Sequence, residues 1–307
     1  MDKTTLPFVA TVKQLPPAPI GQRPPIGEDY LSSSQLWLLA KCGVRYWLKY
    51  GEHLAEAPNS AMIFGSAVHT AQEVFFKALR ERPDADLEPI IETAIACAID
   101  CVEREIATNA DTIVWRPRYQ KSKDLDDLET LAAKIKAAVP TLALAWTQYR
   151  PLSIEQGWLI RWCDPKTGEP DGTLPFVGFE DLVAQRDENA IIVDLKTGSS
   201  KSEEDIRRDA GVVGYALAHE IFSGVPTRDV EYINYICNKE PKVAVIKHHL
   251  TERDFERLYL RCKIATKRIA HGIYDPADDK FACEKCPFRK RCDAFYSLGE
   301  FRSTPAA

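Results

Sequence analysis

The chain has 307 residues, a formal net charge of -5, and 45% hydrophobic and 28% charged residues, which is typical of an ordinary globular protein. This acidic balance excludes a positive coat over the whole surface, so a polyanion would have to bind at a local basic patch. No apolar run reaches membrane-spanning length, and the first residues lack the charged-then-apolar pattern of a secretion signal. We therefore expect a cytoplasmic protein with no membrane segment.

The first half of the sequence favours helices. Proline recurs through residues 1–30, which predicts an extended or disordered lead-in. Apolar residues then recur at helical spacing, with Pro140 as a predicted break or kink in the last of four helices. These helices are predicted over residues 31–50, 64–79, 87–106 and 125–149. Residues 31–150 are thus expected to form a helical N-terminal subregion.

After Pro151 the apolar pattern becomes alternating, which predicts strands. Strands are predicted over residues 153–163, 174–185, 190–195, 230–237 and 243–250, and helices over residues 203–222 and 251–271. This order predicts an α/β protein with a central mixed sheet flanked by helices. The core of the fold is expected in residues 151–275, followed by a short cysteine-rich tail in residues 276–307.

Two acidic residues on neighbouring strands are the strongest catalytic signal. Asp194 and Lys196 lie two apart in one strand, so their side chains share a face and Leu195 points to the other. If the hairpin turns at residues 187–188, Asp181 lies directly opposite Asp194. Facing carboxylates repel unless a cation lies between them, and oxygen ligands favour Mg²⁺ or Mn²⁺. Lys196 could then orient or deprotonate an attacking water. The alternative is a solvated hairpin face.

These residues resemble the RecB-like branch of the PD-(D/E)XK nuclease superfamily, in which G-x-x-D on one strand is followed by D-x-K-T-G on the next. Here the motifs run from Gly178 to Asp181 and from Asp194 through Lys196 to Gly198. The resemblance implies a restriction-endonuclease-like core. It also implies metal binding by Asp181, by Asp194 and by the backbone carbonyl of Leu195, with Lys196 as the catalytic lysine.

Two helices extend this resemblance. The segment Gly65 to His69 matches the family's upstream G-x-x-x-H pattern, which implies that His69 supplies a nitrogen ligand to the metal. Tyr215 matches a tyrosine on the helix after the lysine strand, which implies DNA contact or lysine positioning, with core packing as the alternative. The family has glutamine four residues before that tyrosine, whereas this chain has Gly211.

Three of the nine cysteines, Cys283, Cys286 and Cys292, have a spacing typical of metal ligands. Zinc would usually take its remaining ligands from a second close pair of cysteines, and none follows. Cys42 lies where RecB-like nucleases with a cluster, including the CRISPR-associated exonucleases, have an N-terminal cysteine. The resemblance therefore implies a [4Fe–4S] cluster held by all four. A zinc site or unrelated buried thiols are the alternatives.

Basic and aromatic residues flank these cysteines near both chain ends. Arg45, Tyr46 and Trp47 follow the first cysteine, and Arg289 and Arg291 lie among the last three. Joined by a cluster, the two stretches would form an edge that binds phosphates and stacks on bases, which suits single strands. The alternative is a pair of solvated faces whose aromatic rings pack in the core.

Together these features predict a Mg²⁺- or Mn²⁺-dependent deoxyribonuclease, most simply an exonuclease acting on single-stranded DNA ends. The expected setting is DNA repair, recombination, phage replication or CRISPR adaptation, with protein partners from those processes. An endonuclease or RNA-directed nuclease of the same fold is one alternative. A catalytically weak DNA-binding subunit and a zinc-stapled interaction domain are the others.

Overall fold

The computed structural model describes residues 8–20, 23–118, 122–186, 189–238, 240–277, 280–284 and 286–297. Within them, one mixed sheet has its strands in chain order. The strands are β1 (Val9–Gln14), β2 (Arg150–Cys163), β3 (Phe176–Arg186), β4 (Asn189–Gly198), β5 (Asp229–Ile236) and β6 (Lys242–His249). All neighbours are antiparallel except β4 and β5, which are parallel. The predicted mixed α/β class is confirmed.

Helices cover both faces of this sheet. The helices of the described chain are α1 (Ser33–Lys41), α2 (Gly43–Tyr46), which continues into a π-helical turn (Trp47–Gly51), α3 (Ser60–Glu81), α4 (Leu87–Thr108), α5 (Leu128–Trp146), α6 (Glu203–Arg208), α7 (Ala210–Ser223), α8 (Glu252–Ala270), α9 (Lys280–Glu284) and α10 (Arg289–Ser297). On one face, α3, α4 and α5 share a core with Val193 and Leu195 of β4. On the other face, α1, α7 and α8 pack against Ile192. The alternation of side chains along β4 thus separates two apolar layers.

Two predicted helices are broken in the structure. The helix expected over residues 31–50 stops at Cys42, which is extended (φ -161°, ψ 105°) and whose sulfur accepts a hydrogen bond from the Arg45 N–H. The break lets Gly43 approach the backbone of Tyr274, where a Cβ would come within 2.7 Å. The helix expected over residues 203–222 breaks at Asp209 for the same local reason, an extended residue that caps the next helix. By contrast, α5 continues through Pro140.

The strand β1 lies inside the segment expected to be an extended or disordered lead-in. Its residues pair in antiparallel register with Trp158–Cys163 of β2. The run VATVKQ is rich in β-branched residues, and the prolines lie outside it, so nothing prevents it from forming an edge strand. Residues 1–7 and 298–307 lie outside the described part of the chain. In the described part, no helix is both long and apolar enough to cross a membrane.

Candidate active site

The hairpin of β3 and β4 brings the two predicted carboxylates together. Leu182 pairs with Val193 and Ala184 with Ile191, so continuing the register places Asp181 opposite Asp194. Both carboxylates are buried, and the N–H of Leu195 donates to Asp181 Oδ2 at 2.8 Å. The register predicted from the sequence is confirmed. The position of the Leu195 carbonyl relative to a metal stays a prediction.

Lys196 lies on the same face as Asp194, as predicted. Its Nζ is 2.7 Å from Asp194 Oδ2 and 3.2 Å from Asp209 Oδ2. The ammonium also lies 5.1 Å from the ring centroid of Tyr232. Burial disfavours the charged amine, but the two carboxylates outweigh it and raise the pKa of Lys196 well above its ordinary value. The lysine is therefore held as a cation between two acidic groups.

His69 lies on helix α3, which packs on the face of the sheet opposite to α7, and its side chain reaches Asp181. Its Nδ1 lies 3.3 Å from Asp181 Oδ1. The helix can approach β4 because Gly65 has no side chain: a Cβ there would lie 3.2 Å from Thr197 Oγ1. Gly198, which follows Thr197, has φ +119°, a conformation that favours glycine. The close approach at Gly65 and the positive φ at Gly198 explain why glycine stands at these two positions.

Glu155 on β2 is a further acidic residue of the site, and sequence reasoning missed it. One ligand atom each of His69, Glu155 and Asp181 lie within 4.8 Å of one another, a geometry that could hold a metal ion. Glu155 has φ 49°, unusual for a residue with a side chain, near a bulge in the β2–β3 ladder. The flanking pairs place it across from Asp181, so the β2–β3 register is the signal that could have found it.

The charges of the site are tightly linked. Burial raises the pKa of Glu155, and repulsion from Asp181 raises it further. Burial likewise raises the pKa of Asp194, only partly offset by Lys196. Burial opposes the charge of His69, yet the attraction of Asp181 raises its pKa to about 9. Such crowding of acidic groups around one histidine is the environment that a divalent cation relieves.

Tyr215 packs against the hairpin rather than pointing away from it. A Cβ on Gly178 would lie 2.4 Å from Tyr215 Cε1, and one on Gly211 would lie 3.0 Å from the Tyr215 hydroxyl. Both glycines therefore make room for this ring, which lines the same cleft as Lys196. The structure brings Tyr215 to the site, and its role in DNA contact or lysine positioning stays a prediction.

A cleft of about 1010 Å³ opens in front of Lys196. Basic and aromatic residues line most of it. They are Arg23, Lys41, Lys196, Lys201, Arg208, Arg257, Arg261, Tyr30, Trp37, Tyr50, Phe179, Tyr215 and Tyr232. Trp37 is 53% exposed although it is a large apolar residue. The cleft thus combines cations with exposed ring faces beside the carboxylates.

The four cysteines predicted to hold a cluster lie around one smaller cleft. Cys42, Cys283, Cys286 and Cys292 all line a space of about 450 Å³. All nine cysteines are free. Among the described residues, these four thiols form no group with its sulfurs within 4.8 Å of one another.

The residues predicted to contact nucleic acid near these cysteines have mixed surroundings. Tyr46 is 7% exposed and packs on Tyr274, so its ring is part of the core. Arg45 forms an ion pair with Glu56, and Trp47 packs beside Tyr274. Arg289, which pairs with Asp293, and Arg291 are both exposed. The cleft in front of Lys196 offers more accessible rings than this segment does.

A mixed sheet that carries paired carboxylates and a lysine on adjacent strands, with a histidine from a flanking helix, defines a class of hydrolytic nucleases. Residues 30–293 match the family model described as the PD-(D/E)XK nuclease superfamily. The chain belongs to the PD-(D/E)XK nuclease superfamily, whose members use divalent metals.

Comparison with other proteins adds little beyond the family. A crystal structure from Eubacterium rectale, "Putative exonuclease", is similar at 15% identity and a TM-score of 0.49, covering 85% of this chain and 87% of that chain. A search of curated proteins finds no match.

Proposed function

We propose that this protein is a metal-dependent exonuclease that acts on the ends of single-stranded DNA. The observation that carries the proposal is the position of Lys196. Its ammonium contacts Asp194, which lies across from Asp181, at the head of a cleft lined by basic and aromatic residues. A nuclease needs these parts together: ligands for a cation, a group beside the attacked phosphate and a surface for the strand.

The residues present fit a Mg²⁺ or Mn²⁺ ion. His69, Glu155 and Asp181 offer ligand atoms within 4.8 Å of one another, and Asp194 completes the acidic wall. Oxygen donors with one imidazole suit these hard or borderline cations, and we propose the carbonyl of Leu195 as a further ligand. A bound cation supplies Lewis acidity and lowers the pKa of water. Lys196, held by Asp194, is placed to orient that water or to neutralise phosphate charge.

Single-stranded DNA fits the chemistry of the cleft. Cationic side chains such as Arg257 and Arg261 can contact phosphates, and the exposed ring of Trp37 can stack on a base. Stacking needs an open base face, which a single strand offers and a duplex hides. We therefore place the strand in this cleft, with Arg289 and Arg291 as additional contacts beyond it.

The test compares linear and circular single-stranded DNA with Mn²⁺, using anaerobically purified wild type and the variant Trp37→Ala. We expect linear DNA to be degraded from its ends while circles survive. Trp37→Ala should raise KM for linear DNA about 5- to 150-fold, since stacking on one base contributes about 1–3 kcal/mol. The exposed Leu144→Ala is the matched control. Cleavage of circles would show an endonuclease, and DNA binding without any cleavage would favour a binding subunit.

We further propose that Cys42, Cys283, Cys286 and Cys292 hold a [4Fe–4S] cluster. Support comes from their convergence on one cleft although Cys42 is far from the others in sequence. We also propose a reducing, cytoplasmic setting, in which thiols rarely form disulfides and remain available as ligands. DNA repair, recombination or CRISPR adaptation would be consistent with this activity.

Metal analysis of anaerobically purified protein tests the cluster. We expect a brown protein with about four iron and four sulfide per chain. Cys286→Ser should lose the colour and most of the iron, whereas Cys97→Ser, on α4, should keep both. A colourless protein that contains stoichiometric zinc would contradict the proposal.

A further inference from the structure

Asp209 lies beside the predicted catalytic lysine but belongs to none of the motifs found in the sequence. Its Oδ2 is 3.2 Å from Lys196 Nζ, whose other carboxylate partner is Asp194 at 2.7 Å. Burial opposes the charge of Asp209, but Lys196 outweighs it and helps to lower its pKa to about 2. Lys196 therefore has two acidic partners, one from its own strand and one from the helix that follows.

Asp209 is held more firmly than a helix cap requires. As the N-cap of α7, its Oδ1 accepts a hydrogen bond from the Gly211 N–H at 2.8 Å. The same oxygen accepts from the Ser33 hydroxyl at 3.1 Å. Its other oxygen, Oδ2, accepts from the Tyr232 hydroxyl at 2.8 Å and faces Lys196. Oδ1 thus caps the helix, and Oδ2 pairs with the lysine.

The surroundings leave this carboxylate little freedom. Its contacts come from α1, β5 and α7, which are separate parts of the fold. A Cβ at Gly211 would lie 3.0 Å from Asp209 Oδ1, so a larger residue there would crowd the carboxylate. The ammonium of Lys196 also lies over the ring of Tyr232, 5.1 Å from its centroid. Tyr232 therefore holds the Asp209 carboxylate through its hydroxyl, and the absence of a side chain at Gly211 leaves room for that carboxylate beside Lys196.

We infer that Asp209, held by Tyr232 and Ser33, is a positioning residue that fixes the ammonium of Lys196 beside Asp194. This inference rests on the proposed nuclease function and extends it, since it assigns the lysine's orientation to a residue outside the motifs. Asp209 also lines the cleft, but its negative charge repels phosphate, so it acts through the lysine and not by binding the substrate. Its loss should therefore slow the chemical step without weakening DNA or metal binding.

The test measures kcat and KM for linear single-stranded DNA, and Mn²⁺ affinity by calorimetry, in Asp209→Asn. Asparagine can still cap α7 through its oxygen but cannot attract the lysine. We expect kcat to fall about 10- to 100-fold, with KM and the Mn²⁺ Kd within about twofold. The matched control is Asp127→Asn, since Asp127 caps α5 by accepting from the Thr130 N–H at 2.7 Å.

A double-mutant cycle separates positioning from general destabilisation. Tyr232→Phe keeps the ring under Lys196 but removes the hydroxyl that donates to Asp209, so kcat should fall about 3- to 10-fold. In the Asp209→Asn background the same change should have almost no further effect, because Tyr232 acts through Asp209. Independent losses that multiply, or an unchanged kcat in Asp209→Asn, would overturn the inference.

Crystal structures of the wild type and Asp209→Asn keep this test separate from the proposed function. If the wild type cleaves no DNA, the nuclease proposal fails, but the position of Lys196 can still be compared. We expect its Nζ to move by about 1 Å or more away from Asp194 in the variant. An unmoved lysine would contradict the positioning role whatever the activity.

Discussion

At the scale of single residues, three glycines determine how closely the site's side chains approach one another. Gly65 lets α3 reach Thr197, while Gly178 and Gly211 leave room for the ring and hydroxyl of Tyr215. Gly65 and Gly178 belong to the sequence motifs, and Gly211 stands where the family has glutamine. Their contacts depend on the packing of helices on the sheet, which no local pattern encodes.

Gly178→Ala tests this packing. Because the new Cβ would lie 2.4 Å from Tyr215 Cε1, the ring must shift, and we expect a loss of about 1–3 kcal/mol in the free energy of unfolding. Denaturant unfolding should show a smaller loss for Gly65→Ala, whose contact is 3.2 Å. The double variant Gly178→Ala/Tyr215→Ala should lose less than the sum of its single changes. Additive losses would show that the glycine and the ring do not interact.

Glu155 gives a second prediction at this scale. Glu155→Gln removes one charged oxygen from the group formed with His69 and Asp181, so Mn²⁺ affinity should fall about 10- to 100-fold. Calorimetry with Mn²⁺ measures this, and Glu169→Gln, in the exposed turn after β2, is the control. An unchanged Kd would exclude Glu155 from the metal site. The residue escaped sequence analysis because its backbone, with φ 49°, departs from ordinary strand geometry, and because its pairing with β3 is not visible in a local pattern.

At the scale of elements, a buried carboxylate ties several strands together. Glu231 on β5 accepts hydrogen bonds from the Tyr149 hydroxyl at 2.7 Å and from Arg186 of β3, and pairs with Lys247 of β6 at 3.1 Å. Burial raises its pKa, but the hydrogen bond from Arg186 leads the interactions that leave it below its ordinary value. A lowered pKa means that the charged form stabilises the fold.

Glu231→Gln should therefore destabilise the protein in a pH-dependent way. At pH 7 we expect a loss of about 2–4 kcal/mol in the free energy of unfolding, since Arg186 and Lys247 lose their shared partner. As the pH falls below the unfolded value and through the lowered folded pKa, the wild type loses this contribution, and the difference between the two proteins shrinks. Glu220→Gln, whose partner Arg228 is partly exposed, should cost less than about 1 kcal/mol. A difference that does not depend on pH would contradict the assignment.

Most elements were predictable from periodicity, and the exceptions share a cause. The three helices α3, α4 and α5 and the strands β2 to β6 follow clear apolar patterns. The breaks at Cys42 and Asp209 do not, because each residue is extended and caps the next helix, and each has tertiary surroundings that helical spacing does not encode: Cys42 lines the cysteine cleft, and Asp209 pairs with Lys196. Tertiary contacts override helical propensity at these positions.

At the scale of the whole molecule, the cysteine cleft joins the start of the helical region to the end of the chain. Helix α1 supplies Trp37 and Lys41 to both clefts, so the cleft of the cysteines and that of Lys196 share a wall. Spacing in the sequence predicted the metal-binding character of the last three cysteines. The addition of Cys42 came from the family resemblance, since no local pattern links residues so far apart.

Removing one cysteine should therefore affect DNA binding more than metal binding at the nuclease site. In Cys286→Ser, the loosened end of α1 should weaken single-stranded DNA binding about 10-fold, because Trp37 and Lys41 lose their fixed position. Mn²⁺ affinity should stay within about twofold of the wild type, since His69 and Asp181 lie on other elements. Fluorescence anisotropy and calorimetry measure the two quantities. Equal losses in both would indicate general unfolding.

Mn²⁺-dependent cleavage of end-labelled DNA by Lys196→Ala tests most directly whether the assigned site is a nuclease active site. The variant removes the amine that Asp194 and Asp209 hold, so we expect a loss of cleavage of at least about 1000-fold, with Mn²⁺ still bound. Lys136→Ala, an exposed lysine of α5, should cleave like the wild type. If Lys196→Ala degrades DNA at the wild-type rate, the assigned site does not perform the reaction, and the proposed nuclease role of Lys196 is wrong.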